Sequence, residues 1–135
     1  MKPVLLVIDV QKAFYQESPV TAQSLTEAVQ VINMAIGAFR KHNLPVICNQ
    51  HMNESENLLP GQPGFDTPDE MDVMPTDIHI HKTYGNSFNK TSLYQTIQDL
   101  GADTIFITGF SAAYCVLSTY RGAEDLDLKP ILVRY

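Results

Sequence analysis

Val4-Leu5-Leu6-Val7-Ile8 is an unbroken run of apolar residues that stops at an acid, Asp9. Such a run suits a strand buried on both faces, which places Asp9 at that strand's C-terminal end. Ser24-Leu25-Thr26-Glu27 has the form of a capping box, and Leu25, Ala28, Val29, Ile32, Ile36 and Phe39 then recur at helical spacing. Arg40, Lys41 and His42 follow in the last turn, where cations suit the helix dipole, and Asn43 is a left-handed stop. Pro45-Val46-Ile47-Cys48 reads as a second buried strand, and residues 77–81 alternate like a half-exposed one. Helix signals return at Asn89 or Thr91, with Leu93, Ile97 and Leu100 on one face and Gly101 at the stop. Residues 104–108 form another buried strand, Gly109 turns the chain into a helix over 113–124, and residues 130–133 make a fifth strand.

Strands alternating with helices at this spacing predict an α/β fold: a three-layer αβα, doubly wound parallel sheet, Rossmann-like in its layers. Residues 52–76 stand apart, with Pro60, Pro63, Pro68, Pro75, Gly61 and Gly64 and no periodicity. A connection of that length is expected to be a lid or binding loop. The 135 residues, 44% hydrophobic and 18% charged, suit a single domain with its own core. A formal charge of -6 is the wrong sign for neutralising phosphates, so nucleic acid is not an expected partner. No apolar stretch approaches the roughly 20 residues that span a bilayer, and the first apolar run ends too early for a signal peptide. A cytoplasmic protein with no membrane partner is expected, its two cysteines, Cys48 and Cys115, reduced.

Ligands of an open parallel sheet bind beyond the carboxyl ends of the strands. Three reactive side chains fall there: Asp9 after the first strand, Lys82 after the third, and Cys115 in the first turn of the helix after the fourth. A thiol near a helix N-terminus is biased toward thiolate, a lysine beside it adds to that bias, and an aspartate in reach can take and return the thiol proton. Their contexts are Ile8-Asp9-Val10-Gln11-Lys12-Ala13-Phe14, Lys82-Thr83-Tyr84-Gly85-Asn86-Ser87-Phe88, and Thr108-Gly109-Phe110-Ser111-Ala112-Ala113-Tyr114-Cys115-Val116. With these three segments in order, nearly the whole chain resembles the isochorismatase-like cysteine hydrolase superfamily, which includes nicotinamidases and N-carbamoylsarcosine amidohydrolases.

The resemblance implies Asp9 as general base and acid, Lys82 as the positive member and Cys115 as nucleophile. It also implies a cis peptide at Phe110-Ser111 and an oxyanion hole formed by the backbone N–H groups of Ser111 and Cys115. The implied reaction is hydrolysis of a C–N bond in a small amide, ureido or N-carbamoyl compound through a thioester. The alternatives are vinyl ether hydrolysis of the isochorismatase type, which needs no thiol, and a non-catalytic or redox-responsive relative. Phe14 and Phe88 are expected to touch substrate, together with Gln11 and His51. Nicotinamidases of the family hold a metal through Asp-x-His, but here the stretch is Asn49-Gln50-His51, so no metal and no other cofactor is expected. His79 and His81 share a strand face and read as exposed rather than ligating. Relatives continue past the fifth strand, so residues 1–135 are expected to be a C-terminally incomplete form of the family fold. They also imply a homo-oligomer.

Overall fold

The computed structural model describes residues 1–133. Five parallel strands, β1 (Pro3–Ile8), β2 (Val46–His51), β3 (Ile78–Lys82), β4 (Thr104–Gly109) and β5 (Lys129–Leu132), form one sheet in the order β3-β2-β1-β4-β5. Because alternate side chains of a strand point to opposite faces, β1 splits its apolar run between two cores. Leu5 and Val7 pack against Leu25, Val29, Ile32, Ile36 and Phe39 of helix α1 (Pro19–Lys41). Val4, Leu6 and Ile8 pack on the other face with Leu93 and Ile97 of α2 (Leu93–Asp99) and Ala123 of α3 (Leu117–Asp125). The result is the expected αβα sandwich.

The strand order reverses beside β1. Its register partners are β2 on one side, Leu5 opposite Val46, and β4 on the other, Leu5 opposite Phe106. The crossovers leaving β1 and β4 therefore pass to opposite faces, and a crevice opens between the carboxyl ends of these two strands.

Several boundaries differ from the expectation for physical reasons. Helix α1 starts at Pro19, because Ser18 caps it by accepting from the Thr21 N–H at 3.0 Å and proline suits the first turn. The Ser24 to Glu27 box lies inside the helix. Residues 89–92 stay outside α2, and Lys82 belongs to β3, where it pairs with His51 of β2. The segment after β4 opens as a widened π turn, Ala112–Val116, before α3 continues it.

The stretch 52–76 is not a loose lid. Arg40 grips Asp77 through two nitrogens at 2.8 and 2.6 Å and donates to the Asp72 carbonyl at 2.9 Å. Asn33 donates to the Glu70 carbonyl and accepts from the Asp72 N–H, both at 2.8 Å. Leu58, Phe65 and Met71 of this stretch are buried. No helix among the described residues is long and apolar enough to cross a membrane.

Candidate active site

Asp9 follows β1 directly, with φ at 54°, a left-handed backbone that aspartate tolerates better than most residues. Its N–H donates to the Asn49 carbonyl at 2.9 Å, which fixes the turn against β2. Gly109 ends β4 alongside, at φ 129°, and a Cβ there would collide with the backbone of Ile8. Only glycine allows β4 to pass this close to β1. The Phe110-Ser111 peptide that follows is cis, as expected. In the π turn, the Ser111 carbonyl accepts from the N–H groups of Tyr114 and Val116, the two residues flanking Cys115.

Lys82 leaves β3, two strand positions from β1, so about 10 Å of sheet separates the two backbones, and the long lysine side chain and the Asp9 carboxylate together span it. Its ammonium, fully buried, lies 2.9 Å from Asp9 Oδ2 and 3.5 Å from Cys115 Sγ, and it also donates to the Tyr84 carbonyl at 2.9 Å. Asp9, Lys82 and Cys115, far apart in sequence, thus meet at the mouth of the β1/β4 crevice. Asp9 Oδ1 is buried and has no hydrogen-bond partner among the described residues.

Burial raises the Asp9 carboxyl above its usual range, opposed by the charge and hydrogen bond of Lys82. Burial and the Asp9 charge push the Cys115 thiol up to about 11, with Lys82 again opposing. The resting site is a thiol beside a buried ion pair. Cys48, by contrast, is a core residue within β2, pushed up to about 12 by burial, and both cysteines are free.

The remaining sequence candidates divide. His51 comes to the centre of the site, its Nδ1 2.9 Å from the Lys82 ammonium. Phe14 stands at the rim with its ring centroid 5.5 Å from that of Phe110. Phe88 is half-buried and packs into the core between the sheet and helices α2 and α3. Gln11 is corrected: expected to touch substrate, it is fully buried with its amide committed elsewhere. Its Nε2 donates to the carbonyls of His51 and Phe65 at 3.1 and 3.0 Å, and its Oε1 accepts from the His51 N–H at 2.8 Å. Gln11 is a clamp joining β1, β2 and the 52–76 segment.

Two features escaped the sequence reading. The Tyr84 carbonyl holds Lys82, a backbone contact that no side-chain pattern reveals. Asn49, noted only for not being an aspartate, donates to the Ile80 carbonyl at 3.1 Å and accepts from Ser87 Oγ at 2.5 Å, and Thr119 Oγ1 donates on to Ser87 Oγ at 3.0 Å. This buried chain ties β2 and α3 to the segment carrying Tyr84, and it leaves the Asn49 amide no free end for a metal. His79 and His81 are engaged locally, with the Met74 carbonyl at 2.9 Å and the Phe65 ring at 5.0 Å. A groove of about 600 Å³ between α1 and residues 68–70 includes none of Asp9, Lys82 and Cys115.

The isochorismatase domain family matches residues 3–134, and the chain belongs to that family. It is 28% identical over 134 residues to the uncharacterized isochorismatase family protein YrdC of Bacillus subtilis, covering 98% of this chain and 71% of that protein. The solved isochorismatase of Pseudomonas putida superposes with a TM-score of 0.87 at 29% identity, over 98% of this chain and 68% of that one. N-carbamoylsarcosine amidase of Thermoplasma acidophilum superposes with a TM-score of 0.86 at 25% identity, over 98% and 82% respectively. The protein is a hydrolase of the isochorismatase family.

Proposed function

We propose that the protein is a cysteine amidohydrolase that cleaves a C–N bond in a small amide, ureido or N-carbamoyl compound. The observation that carries this reading is the buried Lys82 ammonium touching both Asp9 Oδ2 and Cys115 Sγ, with the second oxygen of Asp9 unpartnered among the described residues. That oxygen is assigned as the acceptor for the thiol proton, and a carboxylate oxygen of Asp9 lies within 4.8 Å of Cys115 Sγ.

As Asp9 Oδ1 takes the proton, the Cys115 thiolate attacks the substrate carbonyl, a C–S bond forms, and negative charge moves to the carbonyl oxygen. The N–H groups of Ser111 and Cys115 are the donors for that oxygen, each contributing about 3 kcal/mol to the transition state. The C–N bond then breaks while the Asp9 carboxylic acid returns its proton to the leaving nitrogen. Water attacks the thioester with Asp9 again as base, releasing the carboxylic or carbamic acid and the free thiol. Lys82 supplies the fixed positive charge, so no step calls on a metal. Phe14 and Phe110 form an apolar wall for the part of the substrate beyond the carbonyl, with His51 deeper on the Lys82 side.

The free cysteines and the exposed apolar side chains of Tyr114 and Leu117 beside the nucleophile are consistent with a cytoplasmic homo-oligomer. Vinyl ether hydrolysis gives the Lys82 to Cys115 contact no role. The test is ammonia release from a panel of carboxamides, ureides and N-carbamoyl amines by the wild type, Cys115→Ala and Asp9→Asn. The wild type should release ammonia from at least one compound, and each variant should lose at least about three orders of magnitude of that rate. An unimpaired Cys115→Ala protein would exclude the thiol mechanism.

A further inference from the structure

Four acceptors surround the three hydrogens of the Lys82 ammonium. Asp9 Oδ2, His51 Nδ1 and the Tyr84 carbonyl each lie at 2.9 Å, and Cys115 Sγ at 3.5 Å. An ammonium only donates, so His51 Nδ1 must accept, and the imidazole proton sits on Nε2. The Asp9 carboxylate holds one hydrogen by charge, and the Tyr84 carbonyl holds a second from a fixed backbone position. The third is contested between the imidazole and the sulfur.

We propose that His51 is a positioning residue that holds the third hydrogen of Lys82 away from Cys115, and so keeps the resting nucleophile a thiol. The ring is well placed for this, because both backbone polar groups of His51 are held by the buried Gln11 amide, independently of Lys82. The charged groups facing His51 are Lys82, Asp9 and the exposed Glu56, and those facing Cys115 are Asp9 and Lys82. Burial and the Lys82 charge hold the imidazole below its usual range, hence neutral and able to accept. A thiol guarded in this way resists alkylation and oxidation between turnovers, and Asp9 remains the group that ionises it.

The inference rests on the reading of Cys115 as nucleophile, but its test measures thiol ionisation rather than turnover, so the two can fail separately. The pH profile of iodoacetamide labelling at Cys115, followed by mass spectrometry, is compared in the wild type, His51→Leu and His51→Gln. Leucine removes the acceptor and keeps water out of the gap, so the labelling midpoint should fall by about one pH unit, with up to about tenfold faster labelling at neutral pH. Glutamine retains an acceptor oxygen and should keep the wild-type midpoint. An unchanged or higher midpoint in His51→Leu, or equal shifts in both variants, overturns the proposal. Should His51→Leu not fold, nitrogen-15 spectra of the unmodified protein decide: His51 Nδ1 should be the unprotonated nitrogen, and a proton found there overturns it.

Discussion

Replacing Lys82 with methionine keeps an unbranched apolar stem in place and removes only the charge. The structure then leaves the Asp9 carboxylate buried with neither oxygen partnered by a cation, and strips a donor from the Tyr84 carbonyl. Two unit charges at 2.9 Å attract by about 6 kcal/mol at an effective dielectric constant of about 20, and removing one partner of such a buried pair costs about 3–5 kcal/mol. The loss has a pH signature. Burial already raises Asp9 above 3.8, and Lys82 is the foremost opposing influence, ahead of Cys115 and His51. A carboxyl whose folded value is raised contributes its full stability below the unfolded value and loses it as pH rises toward the folded one, at up to about 1.4 kcal/mol per pH unit. Urea unfolding of wild type and Lys82→Met at pH 4.5 and 7.5 should therefore show a gap of about 3–5 kcal/mol at the higher pH that narrows at the lower. Adding Asp9→Asn to Lys82→Met should remove most of this pH dependence. A gap below about 1 kcal/mol at pH 7.5, or one equal at both pH values, would falsify the claim that this is a desolvated ion pair.

Other substitutions probe the scaffold around it. Gly109→Ala forces a side chain against the Ile8 backbone at a positive φ and should cost on the order of 3 kcal/mol in chemical unfolding, with a loss below about 1 kcal/mol counting against the close approach of β4 to β1. Gln11→Ala orphans the His51 N–H and leaves the Phe65 carbonyl only its Gln50 donor, and should lower stability by about 1–3 kcal/mol while amides of residues 64–66 exchange faster; unchanged exchange there would contradict the clamp. Asp77→Ala unfastens Arg40 and should cost about 1–2 kcal/mol at neutral pH. Burial raises the Asp77 carboxyl, but the Arg40 hydrogen bonds and charge outweigh it and hold the group below 3.8, so this contribution is present above that value and disappears as pH falls through the depressed one. A wild type to variant difference that persists at pH 2 would argue against it.

The layers and strand positions were legible because β1 and the middle of β4 are buried and apolar and α1 shows one apolar stripe, whereas the second half of β2, Asn49-Gln50-His51, is polar and fell outside the expected strand. Asp9, Lys82 and Cys115 were legible as candidates because Asp9 and Lys82 fall at strand ends and Cys115 in the turn that follows β4, and the Phe110-Ser111 cis peptide followed from the family resemblance. The role of Gln11 was not legible, since a fully buried amide bonding three backbone groups looks the same in sequence as an exposed one. Lys82 was legible as a candidate but its burial was not, since that depends on a carboxylate and an imidazole brought in from β1 and β2 and on the nearby Tyr84 carbonyl. The fastening of residues 52–76 rests on Arg40, Asn33 and Asp77, whose partners are mostly backbone atoms, and a reading of proline and glycine content predicts a loop without predicting its anchors.

The measurement that meets the central claim most directly is acid-quenched peptide mass spectrometry during turnover of whichever compound releases ammonia. The thioester mechanism predicts an acyl adduct on Cys115 that hydroxylamine removes and that is absent before substrate is added. Turnover with Cys115 unmodified at every quench time, in a protein that stays active as Cys115→Ala, would contradict it.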